Sequence, residues 1–146
     1  MGKLLIGSLT RAYTAAEYAT KGEDCPAVGY VWDDEQNGKR YIFVENEGSS
    51  DIPENHCCKL HSGGEALYQV ELSTGLGAPF AGIRPDGSDT LTQNTFGYVQ
   101  IAGPAIGIFG LSATAITAEL RVVTDDDADG GNIGGWLRDA GGDVSR

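Results

Sequence analysis

Apolar positions along this chain come in short runs, separated by clusters of Gly, Pro, Asn, Asp and Ser. The strongest pattern is Asn94 to Gly110, NTFGYVQIAGPAIGIFG. There Phe96, Tyr98, Val99, Ile101, Ile106, Ile108 and Phe109 are β-branched or aromatic, and Gly97, Gly103, Pro104, Gly107 and Gly110 interrupt them. Two such runs about a Gly-Pro turn predict a hairpin. Tyr98 to Ile101 is one strand and Ala105 to Phe109 its return, at the middle of the core. Further strands are predicted over Val28–Trp32 and Lys39–Glu45, joined through Asp33–Gly38, where Asn37-Gly38 supplies the positive-φ pair of a tight turn. His56–His61, Phe80–Ile83 and Ile116–Val123 follow the same logic. In Ala66–Leu72, Tyr68, Val70 and Leu72 alternate with Leu67, Gln69 and Glu71. Many short strands joined by turn clusters make an all-β domain, a compact β-sandwich or barrel of short antiparallel strands.

The two ends read differently. Residues 1–28 form an extended N-terminal arm whose apolar side chains are Leu4, Leu5, Ile6, Leu9, Tyr13 and Tyr18. Tyr13 to Thr20 has helical spacing for a turn or two, too short to be stable alone. The arm therefore lies on its own domain, on a sister subunit or on a larger surface, or else it is a frayed terminus. Residues 29–135 are the β domain. Residues 136–146 are a C-terminal tail with Trp136 and Leu137 as its anchors.

The 146 residues suffice for one domain with one core. Twenty-two glycines favour short strands and turns over a helical bundle. A formal charge of −11, from 21 acidic and 10 basic side chains, argues against gripping nucleic acid, which takes Lys and Arg. The three cysteines, Cys25, Cys57 and Cys58, cannot form a closed disulfide set, which suggests reduced thiols. Leu4 to Leu9 is too short for a signal core, and no run is long enough to span a bilayer, so neither secretion by that route nor a membrane partner is expected.

Candidate chemistry is sparse. His56, Cys57, Cys58 and His61 include a ligand-like Cys58–His61 spacing, but a second ligand pair is missing and a strand turns Cys57 and Cys58 to opposite faces. The competing reading is a buried Cys, an edge Cys and two surface histidines. Asp125, Asp127, Asp129 and Gly130 match the start of a calcium loop, yet Trp136 stands where the bidentate Glu belongs. His56 points away from Cys57 on a strand, so the pair is not a nucleophile and base. Tyr41, Phe43, Tyr68, Phe80, Phe96, Tyr98 and Phe109 are expected in the core, with a stacking face as the rival. No metal, cofactor or catalytic residue is assigned, and no enzymatic activity is expected.

The order of the pieces NGKRYIFVENEGSSDIP, CCKL, APFAGIRPDG, NTFGYVQIAGPAIGIFG and ITAELRVVTDDDADG resembles the capsid decoration, or cement, proteins of tailed bacteriophages. The matching positions are Tyr41, Phe43, Val44, Asn46 and Gly48; Cys57 to Leu60; Ala81, Gly82 and Ile83; Gly97 to Ile101 with Gly103, Pro104 and Ala105; and Ile116, Thr117, Ala118 and Leu120. The resemblance covers residues 38 to 131, and GYVQIAGPA is its most specific piece. It departs at Glu54-Asn55 and Glu119, where a Gly-containing turn is expected, and both chain ends match nothing. It implies a protein on the exterior of a virion capsid, bound to the major capsid protein and to itself as a homotrimer, stabilising the shell. The arm would order on the coat or on a sister subunit. The rival is a virion-surface sandwich that recognises glycans, signalled by Trp32 or Trp136 lining a groove.

Overall fold

The computed structural model describes residues 4–20, 24–61, 68–73 and 80–105, together with the backbone of 122–125 and 136–139. One short helix, α1 (Ala15–Thr20), precedes the strands β1 (Val31–Asp34), β2 (Lys39–Asn46), β3 (Cys57–Leu60), β4 (Gln69–Leu72), β5 (Gly82–Ile83) and β6 (Thr95–Ala102). The strand order is β1-β2-β4-β3-β5-β6, and β6 also pairs with β2. Five strands therefore close on themselves as a small barrel, and β1 extends from one side of β2. Closure removes the open edges that a sandwich would have to protect. The domain is all-β, but the sheet is mixed. β4 runs parallel to β2 at Glu45↔Gln69 and Asn46↔Val70, whereas the sequence suggested antiparallel pairing. The connection from 47 to 68 contains all of β3, which gives the chain the length that a parallel return requires. A separate ribbon pairs β7 (Val122–Asp125) with β8 (Trp136–Asp139), so a strand forms within the segment expected to be a tail.

β2 and β6 are the spine. They pair antiparallel from Arg40↔Ala102 to Asn46↔Thr95, with an irregularity at Arg40/Tyr41. Alternation gives each strand two apolar faces. Val44 and Val99 point into the barrel and meet Ile52, Cys58, Val70, Leu72 and Leu91. Tyr41, Phe43, Phe96 and Tyr98 point the other way, into a second, aromatic core with Tyr13. Phe43 meets Tyr98 edge-on at 5.1 Å and Tyr13 edge-on at 5.8 Å, the geometry ring quadrupoles favour.

The residues of the decoration-protein resemblance explain themselves locally. Asn46 is fully buried; its amide donates to the carbonyls of Leu91 (2.7 Å) and Ser50 (3.0 Å), and its oxygen accepts from the Gly48 amide. A Cβ at Gly48 would sit 2.6 Å from that of Glu71, so only Gly fits. The buried Gln100 shares its two amide hydrogens among the carbonyls of Ala102, Gly103 and Pro104, which fixes the turn leaving β6. Gly103 makes that turn at φ +91°. The predicted return strand Ala105–Phe109 lies outside the described residues beyond Ala105.

The N-terminal segment lies on its own domain. Tyr13 forms a β-bridge with Phe96, with backbone hydrogen bonds of 2.8 and 2.9 Å, and is 2% exposed. Thr14 caps α1, its hydroxyl accepting from the Glu17 amide. The helix places Tyr18 flat on Phe96, with ring centroids 4.0 Å apart. Leu5 and Leu9 pack on the same aromatic core. Ile6 is half-buried, and its carbonyl accepts the Tyr98 hydroxyl at 2.7 Å. Leu4 alone of the six arm side chains is largely free, at 85% exposed.

Arg84 ties these parts together. It is fully buried. Its guanidinium donates to the carbonyls of Tyr98 in β6 (2.7 Å), Thr10 in the N-terminal segment (2.9 Å) and Asp89 (3.0 Å). Asp89 in turn donates its amide to Thr10 and accepts from the Ala12 amide. Burial pushes the guanidinium down to about 10, which still leaves it charged at neutral pH. Gly97 makes room for it, because a Cβ there would lie 2.7 Å from Nη1.

Arg84→Leu should lower unfolding free energy by about 3 kcal/mol, since three backbone carbonyls, that of Tyr98 fully buried, lose a charged donor. Urea unfolding checks this; wild-type stability would contradict it. Removing residues 1–28 should strip Phe43, Phe96 and Tyr98 of their cover and unfold the domain, and a truncated chain with a dispersed, folded NMR spectrum would contradict that.

Candidate interaction surface

The β1–β2 hairpin concentrates charge, with Asp33, Asp34 and Glu35 beside Lys39 and Arg40. Asp33 and Asp34 were expected in its turn but are the last residues of β1, facing Arg40 and Lys39 across the ladder. The turn itself is Glu35 to Gly38. Asp34 shapes it by accepting from the Asn37 amide (3.3 Å) and side-chain amide (2.7 Å). Gly38 closes it at φ +65°. Asp33 pairs with Arg40 at 2.6 Å, about half-exposed, so the pair contributes little to stability. Two open grooves flank this tip. One, of about 300 Å³, runs past Leu4, Leu5, Trp32 and the carboxylates of residues 33–35. The other, of about 400 Å³, lies between those carboxylates, Lys39, Arg40 and Ala102. Trp32 stacks on Tyr41 with ring centroids 5.7 Å apart while lining the first groove.

A second exposed feature lies where β3 ends and just before β5 begins. Leu60 and Phe80 are 60% and 51% exposed. Beside them Glu71 takes Lys59 on one oxygen (3.1 Å) and His61 Nδ1 on the other (2.6 Å). Burial alone would raise the Glu71 carboxyl, but its two partners hold it below the usual carboxylate range. Tyr68 is also exposed, so of the aromatics expected inside, Tyr41, Phe43, Phe96 and Tyr98 are buried, Tyr68 and Phe80 are not, and Phe109 lies outside the described residues.

The metal-like cluster does not assemble. His56 is buried with Nδ1 on the Glu54 carbonyl (2.9 Å), His61 turns to Glu71, and Cys58 sits in the barrel core with its thiol on the Gly82 carbonyl. Among the described residues no three His, Cys, Asp or Glu side chains are placed to hold a metal ion. Both vicinal cysteines are buried, where an edge position was the expectation for one. Asp125 ends β7; Asp127, Asp129 and Gly130 of the acidic loop lie outside the described residues. The sequence does not single out Arg84, and it marks Glu71 only as one face of a strand, since nothing in IRPDG or QVEL distinguishes a buried or paired charge from a solvated one.

Burial pushes the Cys57 thiol up to about 12 and Cys58 and Tyr98 higher still. Raised folded values give stability that is complete below the ordinary thiol range and lost as pH climbs toward the folded value, because only the unfolded chain ionises between them. Unfolding free energy should therefore hold steady to about pH 8.5 and then fall. At pH 8, a thiol reagent should modify Cys57 and Cys58 no faster than the protein unfolds. Rapid modification in the native state would contradict their burial. Comparison with protein-family models, with curated proteins and with solved structures finds no match to this chain.

Proposed function

We propose that this chain is a capsid decoration protein: a non-enzymatic domain that binds the outer surface of a phage head at joints between major capsid protein subunits. The observation that carries the reading is where the resembling segments fall. Tyr41 to Gly48, Cys57 to Leu60, Ala81 to Ile83 and Gly97 to Ala105 lie on β2, β3, β5 and β6 or on the residues next to them, so they fall in one barrel. These four segments of the resemblance thus lie together in one domain, and the fifth, Ile116 to Leu120, lies outside the described residues.

The chemistry of the surface supports the same reading. A net charge of −11 suits a position outside the shell, away from packaged DNA and against basic coat patches. A rigid barrel with its N-terminal segment already folded onto it brings preformed surfaces to a joint and loses little conformational entropy there. Three copies around a local threefold axis would add their contacts at high effective concentration.

One observation favours a second reading. Trp32 lines a groove beside carboxylates, an arrangement that also suits a sugar face and its hydroxyls. A glycan array separates the two, because decoration predicts no saccharide binding and the rival predicts binding that Trp32→Ala removes.

The decoration reading predicts that purified heads contain the protein in fixed ratio to the coat subunit. Heads lacking it should break at a temperature several degrees lower or at lower osmotic stress. Absence from the particle, or heads equally robust without it, would end the reading. Light scattering of the pure protein should give a trimer's mass, and a monomer both free and on heads would remove the threefold assignment.

A further inference from the structure

We propose that Asn37-Gly38, in the turn between β1 and β2, is a self-modification site: the chain converts Asn37 to aspartate or isoaspartate with water as the only co-reactant, and Asp34 restrains the rate. Asn37 is the one asparagine of this chain that glycine follows. Both residues are exposed. Gly38 has no side chain to shield its amide nitrogen, and even a Cβ there would meet nothing within 4 Å. That nitrogen therefore has open space in which to meet the carboxamide carbon of the residue before it.

The chemistry balances without any change of oxidation state. The Gly38 amide gives its proton to solvent, and its nitrogen bonds to Asn37 Cγ. The Cγ–Nδ2 bond breaks, and Nδ2 takes a proton from solvent and leaves as ammonia. Water then opens the cyclic imide at either carbonyl. Opening at Cγ gives aspartate. Opening at the main-chain carbonyl gives isoaspartate, with Cβ and Cγ now in the backbone.

Asp34 opposes the first step. Its Oδ2 accepts from Asn37 Nδ2 at 2.7 Å, and its Oδ1 accepts from the Asn37 amide at 3.3 Å. Expelling Nδ2 gives up the shorter bond, which a charged acceptor makes the stronger kind. The product then sets a carboxylate at position 37 where Asp34 had a donor, so like charges meet. Isoaspartate also puts an extra carbon in the main chain just before Gly38. The Gly38 carbonyl lies against Gly103, with no room for a Cβ between them, so the lengthened turn presses on the turn that leaves β6.

The test stores the full chain, folded, at neutral and at mildly alkaline pH, beside a synthetic peptide of residues 35–39. Peptide mass mapping locates the gain that comes from exchanging an amide for an acid. Chromatography against synthetic standards separates aspartate from isoaspartate. Asp86-Gly87 can close the same ring but without a change of mass, so the gain reports asparagine alone.

Asn37 should convert before any other asparagine, faster at the higher pH and more slowly than in the peptide. The Gly103 amide should shift in the isoaspartate form. Asp34→Ala should convert roughly threefold faster, the size of effect that one exposed hydrogen bond has on a rate. Arg40→Ala breaks the Asp33 pair in the same hairpin and leaves the Asn37 bonds alone, so it should convert at the wild-type rate.

An intact Asn37 in the wild-type chain once the peptide is fully converted would overturn the proposal, as would earlier conversion at another asparagine. Equal acceleration in Arg40→Ala would assign the restraint to the hairpin as a whole. Slower conversion in Asp34→Ala would make its carboxylate a promoter. Either result overturns the role given to Asp34, and an unshifted Gly103 amide in the isoaspartate form overturns the link to β6.

Discussion

A single buried guanidinium ties together three separate parts of this domain. Arg84 stands at the end of β5 and reaches the carbonyls of Thr10, Asp89 and Tyr98. Those three groups belong to the N-terminal segment, the loop before β6 and β6 itself. None of the three sites lies near another in sequence, so no local hydrogen bond could serve them all. A charged donor in a water-poor site makes strong bonds and leaves costly gaps if removed. The fixed position of Arg84 sets the rest. Gly97 is glycine because the guanidinium needs its space, Thr10 is held against β6, and Tyr13 is thereby in register to bridge Phe96.

From that tie follows a domain with two cores on one spine. The barrel side of β2 and β6 is aliphatic and closed by short strands. The opposite side is aromatic and closed by a segment that precedes the barrel in sequence. Neither face of the spine is left to solvent, which is why Tyr41, Phe43, Phe96 and Tyr98 can be so large and yet contribute no sticky patch. Among the described residues, the large apolar side chains left exposed are Leu4, Leu60, Tyr68 and Phe80. A protein that acts by lying across its neighbours needs such a rigid body, since every degree of freedom frozen on contact subtracts from its affinity.

Much of the frame was legible in the residues. The β-branched and aromatic runs pick out Lys39–Glu45 and Tyr98–Ile101, which lie within β2 and β6, and Asn37-Gly38 marks the hairpin between β1 and β2. What was not legible depends on long-range placement. The parallel pairing of β2 with β4 and the closure by β2 with β6 join positions far apart in sequence, and periodicity carries no information about partners. Asp33-Asp34 read as part of a turn because acidic pairs usually sit in loops, yet they are the last two residues of β1. The six arm side chains were recognised as apolar, but sequence alone could not tell a surface waiting for a partner from one already covered. Tyr13 and Tyr18 are spent inside the molecule, and of the six Leu4 keeps the most exposed surface.

Native-state hydrogen exchange, residue by residue on the full chain, probes that unity most directly. If Arg84 makes one cooperative body, the amides of Tyr13, Asp89, Leu91 and Phe96 exchange through a common opening, with a free energy matching global unfolding. Fast exchange at Tyr13 and Asp89 while Leu91 and Phe96 stay protected would contradict it, and would show the N-terminal segment to be a detachable arm.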